Sequence, residues 1–403
     1  MSEGYDVLSD LILCNSATTK GDKELSNFIC GYLVVQAIHN LLALTNNIGS
    51  VWQVASKGIL ALLLLISLYR ILLRSLIKAI SSELLFAVLL LISYLFCDIN
   101  DDFGSLSFNL LFAYLPMGIA CYAIYDYEIL LQKLYRSSFI IEFVTLLSFI
   151  IAKLDTYSMT SGFLLLLPIL LHIDNFIKEK RLVDGILPII DIAFIVAYAS
   201  RGPIVCIGVY ILMYVVFESS VSRRKKTIFI IVVSVLVITV YFNLDILAAL
   251  FSRITGAQSG ISRTIRLLQT NQIGYDADRF PVFKYYIDII RESPFVGKGL
   301  AASWNYSSYP HNIFIEFCLA FGVPIGIFLS IMLVLSWYRG IRQTDSTLRR
   351  LAQVFVAGNI SILWSGSFLM SPTFFVCLAL CMKGTKRNRL RIYGSSLETV
   401  GSE

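Results

Sequence analysis

Charge is scarce in this sequence, and histidine is scarcer. Only 15% of the 403 residues are Asp, Glu, Lys or Arg, and only three are His, where soluble domains carry about 25% charged residues. With 57% hydrophobic residues and a mean hydropathy of +0.75, that shortage excludes a soluble globular chain and leaves an integral membrane protein. The eight cysteines stand singly, with Cys30, Cys121, Cys206, Cys318, Cys377 and Cys381 inside apolar runs, so no disulfide framework or zinc spacing follows. Repeats and low-complexity tracts are also missing. The first 24 residues are polar and mixed in charge, so a cleavable leader is not expected there.

What is present is a series of apolar runs of roughly 17–25 residues, each long enough as a helix to cross about 30 Å of hydrocarbon. The expected class is all-α, a polytopic membrane protein with about twelve spans, because a closed barrel would show alternating ten-residue segments instead. The runs lie near 25–45, 53–73, 83–99, 105–126, 137–154, 159–177, 183–199, 202–219, 227–246, 311–335, 349–367 and 370–382. Residues 1–393 read as a single membrane domain, and the closing 394–403 as a tag remnant.

Basic residues collect at Lys20/Lys23, Arg70/Arg74/Lys78, Lys133/Arg136, Lys178/Lys180/Arg181, Arg223 to Lys226, Arg339 to Arg350 and Lys383 to Arg391. Twelve spans put every cluster on one side, which positive loops assign to the cytoplasm together with both termini. The net charge of +6 is then topogenic and calls for no nucleic acid.

The far side has one long segment, about 247–310, too long to be a mere connection. It holds Arg253, Arg263, Arg266, Arg279, Lys284, Arg291 and Lys298. Two amphipathic helices are expected there, over 261–270 and 278–294. The second is capped by Asp278, carries Pro281 in its first turn, and has Phe283, Tyr286, Ile287 and Ile290 as its apolar stripe. "FVGKGL" at 295–300 follows, a turn whose glycines could let backbone approach a ligand.

Candidate chemistry gathers on this same side. Arg201 stands between two spans beside Pro203, where a guanidinium and a helix N-terminus both suit a phosphate. His311 opens the tenth span after Tyr309 and Pro310, and Asn312 can cap that helix. An imidazole with a pKa near 6.5 suits general-base work. Glu316, ionisable and inside the span, shares a face with Asn312 and is read as structural or as a binder of substrate hydroxyls. His39 and His172 read as helix-to-helix hydrogen bonders, and Asp191 as the partner of another helix. "DINDDFG" at 98–104 is a charged loop that stops a span rather than a site for a divalent cation.

Ser200-Arg201-Gly202 at the start of a span, an arginine-led aromatic helix ending in "SPFVGKG", and His311-Asn312 opening the next span together resemble the O-antigen polymerase and ligase superfamily. The similarity covers about 195–330. In the ligase branch His-Asn is followed by nine residues, Gly, two residues, and Gly, Thr or Tyr. Here Gly322 fits, but Ile325 holds the last position and Gly326 comes one place late, which counts against a ligase and leaves the general fold intact.

The resemblance implies that Arg201 and Arg279 grip a lipid-linked diphosphate, with Arg263 or Arg266 able to take the second role, and that His311 is the base or positions the acceptor. Tyr309, Asn312 and Glu316 join Arg263 and Arg266 as expected substrate-binding residues. The expected reaction is transfer of a growing glycan from a polyprenyl diphosphate carrier to the terminal sugar of another carrier-linked repeat unit, without metal or cofactor. It would take place at the periplasmic face of a bacterial inner membrane. A chain-length regulator and a flippase of the same pathway are the implied protein partners. The alternatives are a ligase acting on lipid A core and a multi-pass transporter or lipid flippase.

Overall fold

Hydrocarbon offers backbone groups no hydrogen bonds, so apolar runs in it must satisfy themselves as helices. The computed structural model describes residues 3–44, 49–96, 103–151, 159–198, 202–217, 279–300, 302–305 and 309–383, with Arg224, Thr227 and Ile231. Among the described residues the chain is helical and no strand occurs. In order come α1 (Glu3–Leu44), α2 (Gly49–Phe96), α3 (Phe103–Asn109), a π turn (Leu110–Tyr114), α4 (Leu115–Ala123), α5 (Tyr127–Ile151), α6 (Met159–Glu179), α7 (Leu182–Tyr198) and α8 (Gly202–Phe217). After the segment 218–278 follow α9 (Arg279–Glu292), α10 (Ile313–Phe321), α11 (Val323–Ile341), α12 (Ser346–Asn359) and α13 (Pro372–Met382).

Six of the described helices are long and apolar enough to cross a membrane. Their surfaces are inverted relative to a soluble bundle. On α5 the buried face carries Ser138, Glu142, Thr145 and Ser148, while Phe139, Ile140, Phe143 and Ile150 are exposed. Apolar residues facing outward and polar ones inward suit a lipid surround.

Two expected spans fall within the single run α2, and side-chain contacts show that it doubles back at Ser75, whose φ of −147° and ψ of 30° are not helical. Leu63 packs on Gly31 of α1, nine residues beyond Asp22, which Arg74 reaches, and Phe86 meets Phe375 edge-on in the first turn of α13, eight residues before Lys383. A straight helix would carry Leu63 and Phe86 about 34 Å apart on either side of Arg74. Both instead lie on the same side of it. The reversal is pinned by charge: Arg70 pairs with Glu24 at 2.8 Å, Arg74 with Asp22, and Lys78 bonds Tyr122.

Asp22 also accepts the amides of Tyr125 at 3.1 Å and Asp126 at 3.0 Å, in the turn between α4 and α5. Lys383, at the end of α13, donates to the Ile124 carbonyl in that turn. Members of two basic clusters, Arg70 to Lys78 and Lys383, from distant parts of the sequence, thus meet at one end of the bundle. At the other end Asn40 of α1 donates to Ser161 of α6 at 2.9 Å, Ser365 contacts Met159, and Phe103 stacks on Trp304.

The expected tenth span, 311–335, is not one helix. It breaks at Gly322 into α10 and α11. A Cβ on Gly326 would lie 2.6 Å from the Cα of Cys318, although eight residues of straight helix would separate the two by about 12 Å. The chain therefore turns sharply, and α10 folds against α11. The expected eleventh span is also interrupted, with α12 ending at Asn359 and continuing as a 3-10 turn, Ile360–Leu363.

Candidate functional site

The site is built around the entry to α10. Asn312 is extended (φ −151°, ψ 118°), and its side-chain oxygen accepts the amides of Phe314 at 2.9 Å and Ile315 at 3.1 Å, which caps the helix as the sequence suggested. Its amide nitrogen donates to the Leu363 carbonyl at 2.8 Å. One side chain thereby ties the start of α10 to the turn after α12.

His311 is half-buried and adopts φ of +54°, in the left-handed region. For a residue with a Cβ this costs of order 1 kcal/mol and persists only where the surroundings enforce it. Here Asn312 fixes the chain on one side and buried Pro310 on the other. The imidazole stacks on Tyr309, with ring centroids 4.2 Å apart and planes tilted by 48°. Strain of this kind clusters at functional positions.

One turn into α10, Glu316 is 1% exposed. Its carboxylate accepts Ser303 Oγ at 3.1 Å, Ser367 Oγ, and the Phe368 amide at 3.3 Å. Ser303 belongs to a 3-10 turn, Ala302–Asn305, and Phe368 opens another, Phe368–Met370. Glu316 therefore stitches three segments together, and nothing in the residue pattern pointed to Ser303 or Ser367 as its partners.

The far end of α10 is held by the turn the sequence marked as "FVGKGL". Lys298 N donates to the Leu319 carbonyl at 2.7 Å, Gly299 N to that of Ala320 at 3.0 Å, and Val323 N to that of Pro294 at 2.6 Å. The backbone these glycines admit is the chain's own. α9 leads into this turn and seats Tyr286 and Ile289 in a small buried cluster with Leu319 and Ala302. The buried stripe of α9 is thus Val282, Tyr286, Ile289 and Ile290, whereas Ile287, expected within it, is 41% exposed. An apolar groove of about 340 Å³ runs between Ile287, Ile290 and Arg291 of α9 and Phe314, Ile315 and Cys318 of α10.

Of the residues singled out by sequence, Tyr309, His311, Asn312 and Glu316 come together at the end of the bundle opposite the Asp22 and Arg74 pair. Arg279 is the first residue of α9, and its side chain lies outside the description. Arg201, Arg263 and Arg266, the helix expected over 261–270, Asp278, and the carboxylates Asp98, Asp101 and Asp102 lie outside the described residues. Gly202, the neighbour of Arg201, opens α8 against the ring of Phe163 in the first turns of α6.

Residues 186–331 match the family model described as O-antigen ligase. That match bears out the resemblance to the O-antigen polymerase and ligase superfamily. The ligase-like segment takes in most of α7, all of α8, α9 and α10 and the first half of α11, together with every candidate site residue. No curated protein matches the chain. Members of the family are glycosyltransferase-like enzymes acting on lipid-linked glycans in membranes.

Proposed function

We propose that the chain is a surface-polysaccharide polymerase: it moves a growing glycan from a polyprenyl diphosphate carrier to the terminal sugar hydroxyl of a second carrier-linked repeat unit. The observation that carries this reading is a strained, stacked histidine, His311, held by the cap of α10 within the segment that matches the O-antigen ligase family. In the transfer, the anomeric C–O bond to the diphosphate breaks and a new C–O bond forms to the acceptor oxygen. The acceptor's proton passes to His311, and the electron pair of the broken bond stays on the diphosphate.

Arg201 and Arg279 are assigned to the diphosphate, where fixed cations stabilise charge that builds up in the transition state. A base near neutral pKa contributes about 10²–10⁴-fold. Asn312 positions the imidazole. Glu316, Tyr309, Arg263 and Arg266 are assigned to the glycan and its carrier. The apolar groove between α9 and α10 suits the isoprenoid tail beside its headgroup. In this reading the site faces the periplasm of a bacterial inner membrane, no metal takes part, and a flippase and a chain-length regulator act before and after it.

The description of the matched family favours a second reading, a ligase that attaches the glycan to lipid A core. One experiment separates the two. Purified protein is given a lipid diphosphate repeat unit, with and without core acceptor. A ladder without core is the expected result; single attachment to core would make the chain a ligase, and no transfer in either arm would remove glycosyl transfer altogether.

A further inference from the structure

At the basic end of the bundle, away from this site, cations from α2 and α13 gather over the tyrosines around the turn between α4 and α5. Lys78 Nζ lies 3.6 Å from the centre of the Tyr122 ring, and Lys383 Nζ lies 5.5 Å from the same ring. The two ammonium groups can therefore be no further apart than those two distances together. Lys383 Nζ also stands 5.3 Å from the Tyr125 ring and 4.9 Å from that of Tyr127, and the Arg74 guanidinium lies 4.7 Å from Tyr125. Each ring attracts the cation above it, but none of them neutralises the charge of the set.

The carboxylates at this end are taken up elsewhere. Asp22 serves Arg74 and the amides of Tyr125 and Asp126, and Glu24 serves Arg70. Asp126 accepts the Glu128 amide, and Glu128 accepts the Thr347 hydroxyl. Among the described residues neither lysine has an acidic partner: Lys78 donates to the neutral Tyr122 hydroxyl and Lys383 to the Ile124 carbonyl. The sequence adds to the excess, since Lys386, Arg387, Arg389 and Arg391 follow Lys383 with no acid before Glu398. Burial also pushes the Lys383 pKa down to about 8, an effect that an arriving anion would oppose.

The surface beside the lysines indicates which anion fits. Around Lys78, itself exposed, the reversal of α2 presents Leu73, Leu76, Ile77 and Ile80 outward, Ile77 with 80% exposure. A free anion or an acidic peptide would leave this apolar surface in water. A phospholipid covers it with acyl chain while its phosphate reaches the ammonium groups. Tyr122, half-buried, and Tyr125, 53% exposed, are residues of the kind that settle at headgroup level.

We propose that Lys78 and Lys383, framed by Tyr122 and Tyr125, bind the phosphate of an anionic phospholipid. Each ammonium group donates to a phosphate oxygen, the charge-assisted form of the bond, and the acyl chains lie on the exposed face of α2. Lys78 follows closely on the reversal at Ser75 and Lys383 ends α13, so the lipid clamps that reversal to α13 across α4. The site stands apart from the glycan-transfer reading and does not depend on it.

The full chain in nanodiscs of phosphatidylethanolamine, with and without phosphatidylglycerol, tests this by melting temperature, and native mass spectrometry follows the phosphatidylglycerol retained. The wild type is expected to melt higher with phosphatidylglycerol present. In K78Q/K383Q that rise should disappear, and the phosphatidylglycerol concentration for half occupancy should increase about 30-fold. R342Q, which removes an exposed charge at the end of α11, should keep both properties. K78Q alone, at an exposed position, should lose most of both and serves if the double variant does not fold. A rise that persists in the lysine variants would overturn the proposal. Equal loss in R342Q would also overturn it, by showing attraction to the basic surface as a whole. If inorganic phosphate in detergent raises the melting temperature as much, the site takes a free anion and the lipid assignment fails.

Discussion

Gly297 and Gly322 interlock: a Cβ on Gly297 would lie 2.5 Å from the Gly322 nitrogen, and one on Gly322 would lie 2.3 Å from the Phe295 carbonyl oxygen. Both have positive φ, 76° and 80°. The turn after α9 and the elbow between α10 and α11 are therefore one unit, and it sets where His311 stands relative to α11.

Gly322→Ala puts a side chain into both a left-handed backbone and a neighbouring carbonyl. The expected cost is at least about 2 kcal/mol, with glycan transfer lost as α10 is displaced. Thermal unfolding in detergent checks the first, and product gels from membranes the second. A variant as stable as the wild type would mean the elbow tolerates a Cβ.

His311→Gly removes the imidazole and relieves the backbone at φ +54°. Net stability should stay the same or rise by about 1 kcal/mol, while transfer disappears. His311→Val, with a branched Cβ in the same conformation, should lose about 1–2 kcal/mol instead. Equal melting temperatures for the two variants would show that the strain is not carried at this residue.

Asn312 performs two tasks that substitutions can separate. Asn312→Asp keeps an oxygen for the amides of Phe314 and Ile315 but loses the donation to Leu363. Asn312→Ala loses both, at about 1 kcal/mol for the cap and about 1 for the bond. Stability should fall in the order Asn, Asp, Ala. Activity should fall further than stability if the imidazole depends on this residue for its placement.

At the basic end, Asp22→Ala leaves Arg74, whose side chain is 11% exposed, without its carboxylate, and frees the amides of Tyr125 and Asp126. Breaking a buried pair on one side costs about 3–5 kcal/mol, so the variant should yield little monodisperse protein. Arg70→Ala removes a pair in which both side chains are partly exposed and should cost no more than about 1 kcal/mol. Size-exclusion profiles of the two variants compare them directly.

Arg201→Ala should abolish polymer while leaving membrane insertion intact, and replacing Asp101 and Asp102, or adding chelator, should leave activity unchanged. Polymer of normal length from the arginine variant would remove it from the mechanism. Strong loss with chelator would point to a divalent cation held by these carboxylates.

Much of this protein is determined by its sequence alone, because hydrocarbon punishes any deviation: long apolar runs had to be helices, and their order and the clustering of Arg70, Arg74, Lys78 and Lys383 were legible without coordinates. Asn312 could be read as a cap because capping depends only on the next three residues. What tertiary structure decided was everything that depends on residues far apart meeting. Gly322 looked like punctuation inside a span, since periodicity continues across it; it became an elbow because Gly297, 25 positions earlier, packs against it. Glu316 found Ser303 and Ser367, from segments on either side of it in the sequence. Those meetings are set by how helices pack against one another, where geometry between distant segments, rather than the pattern along any one of them, fixes which polar groups share a buried space.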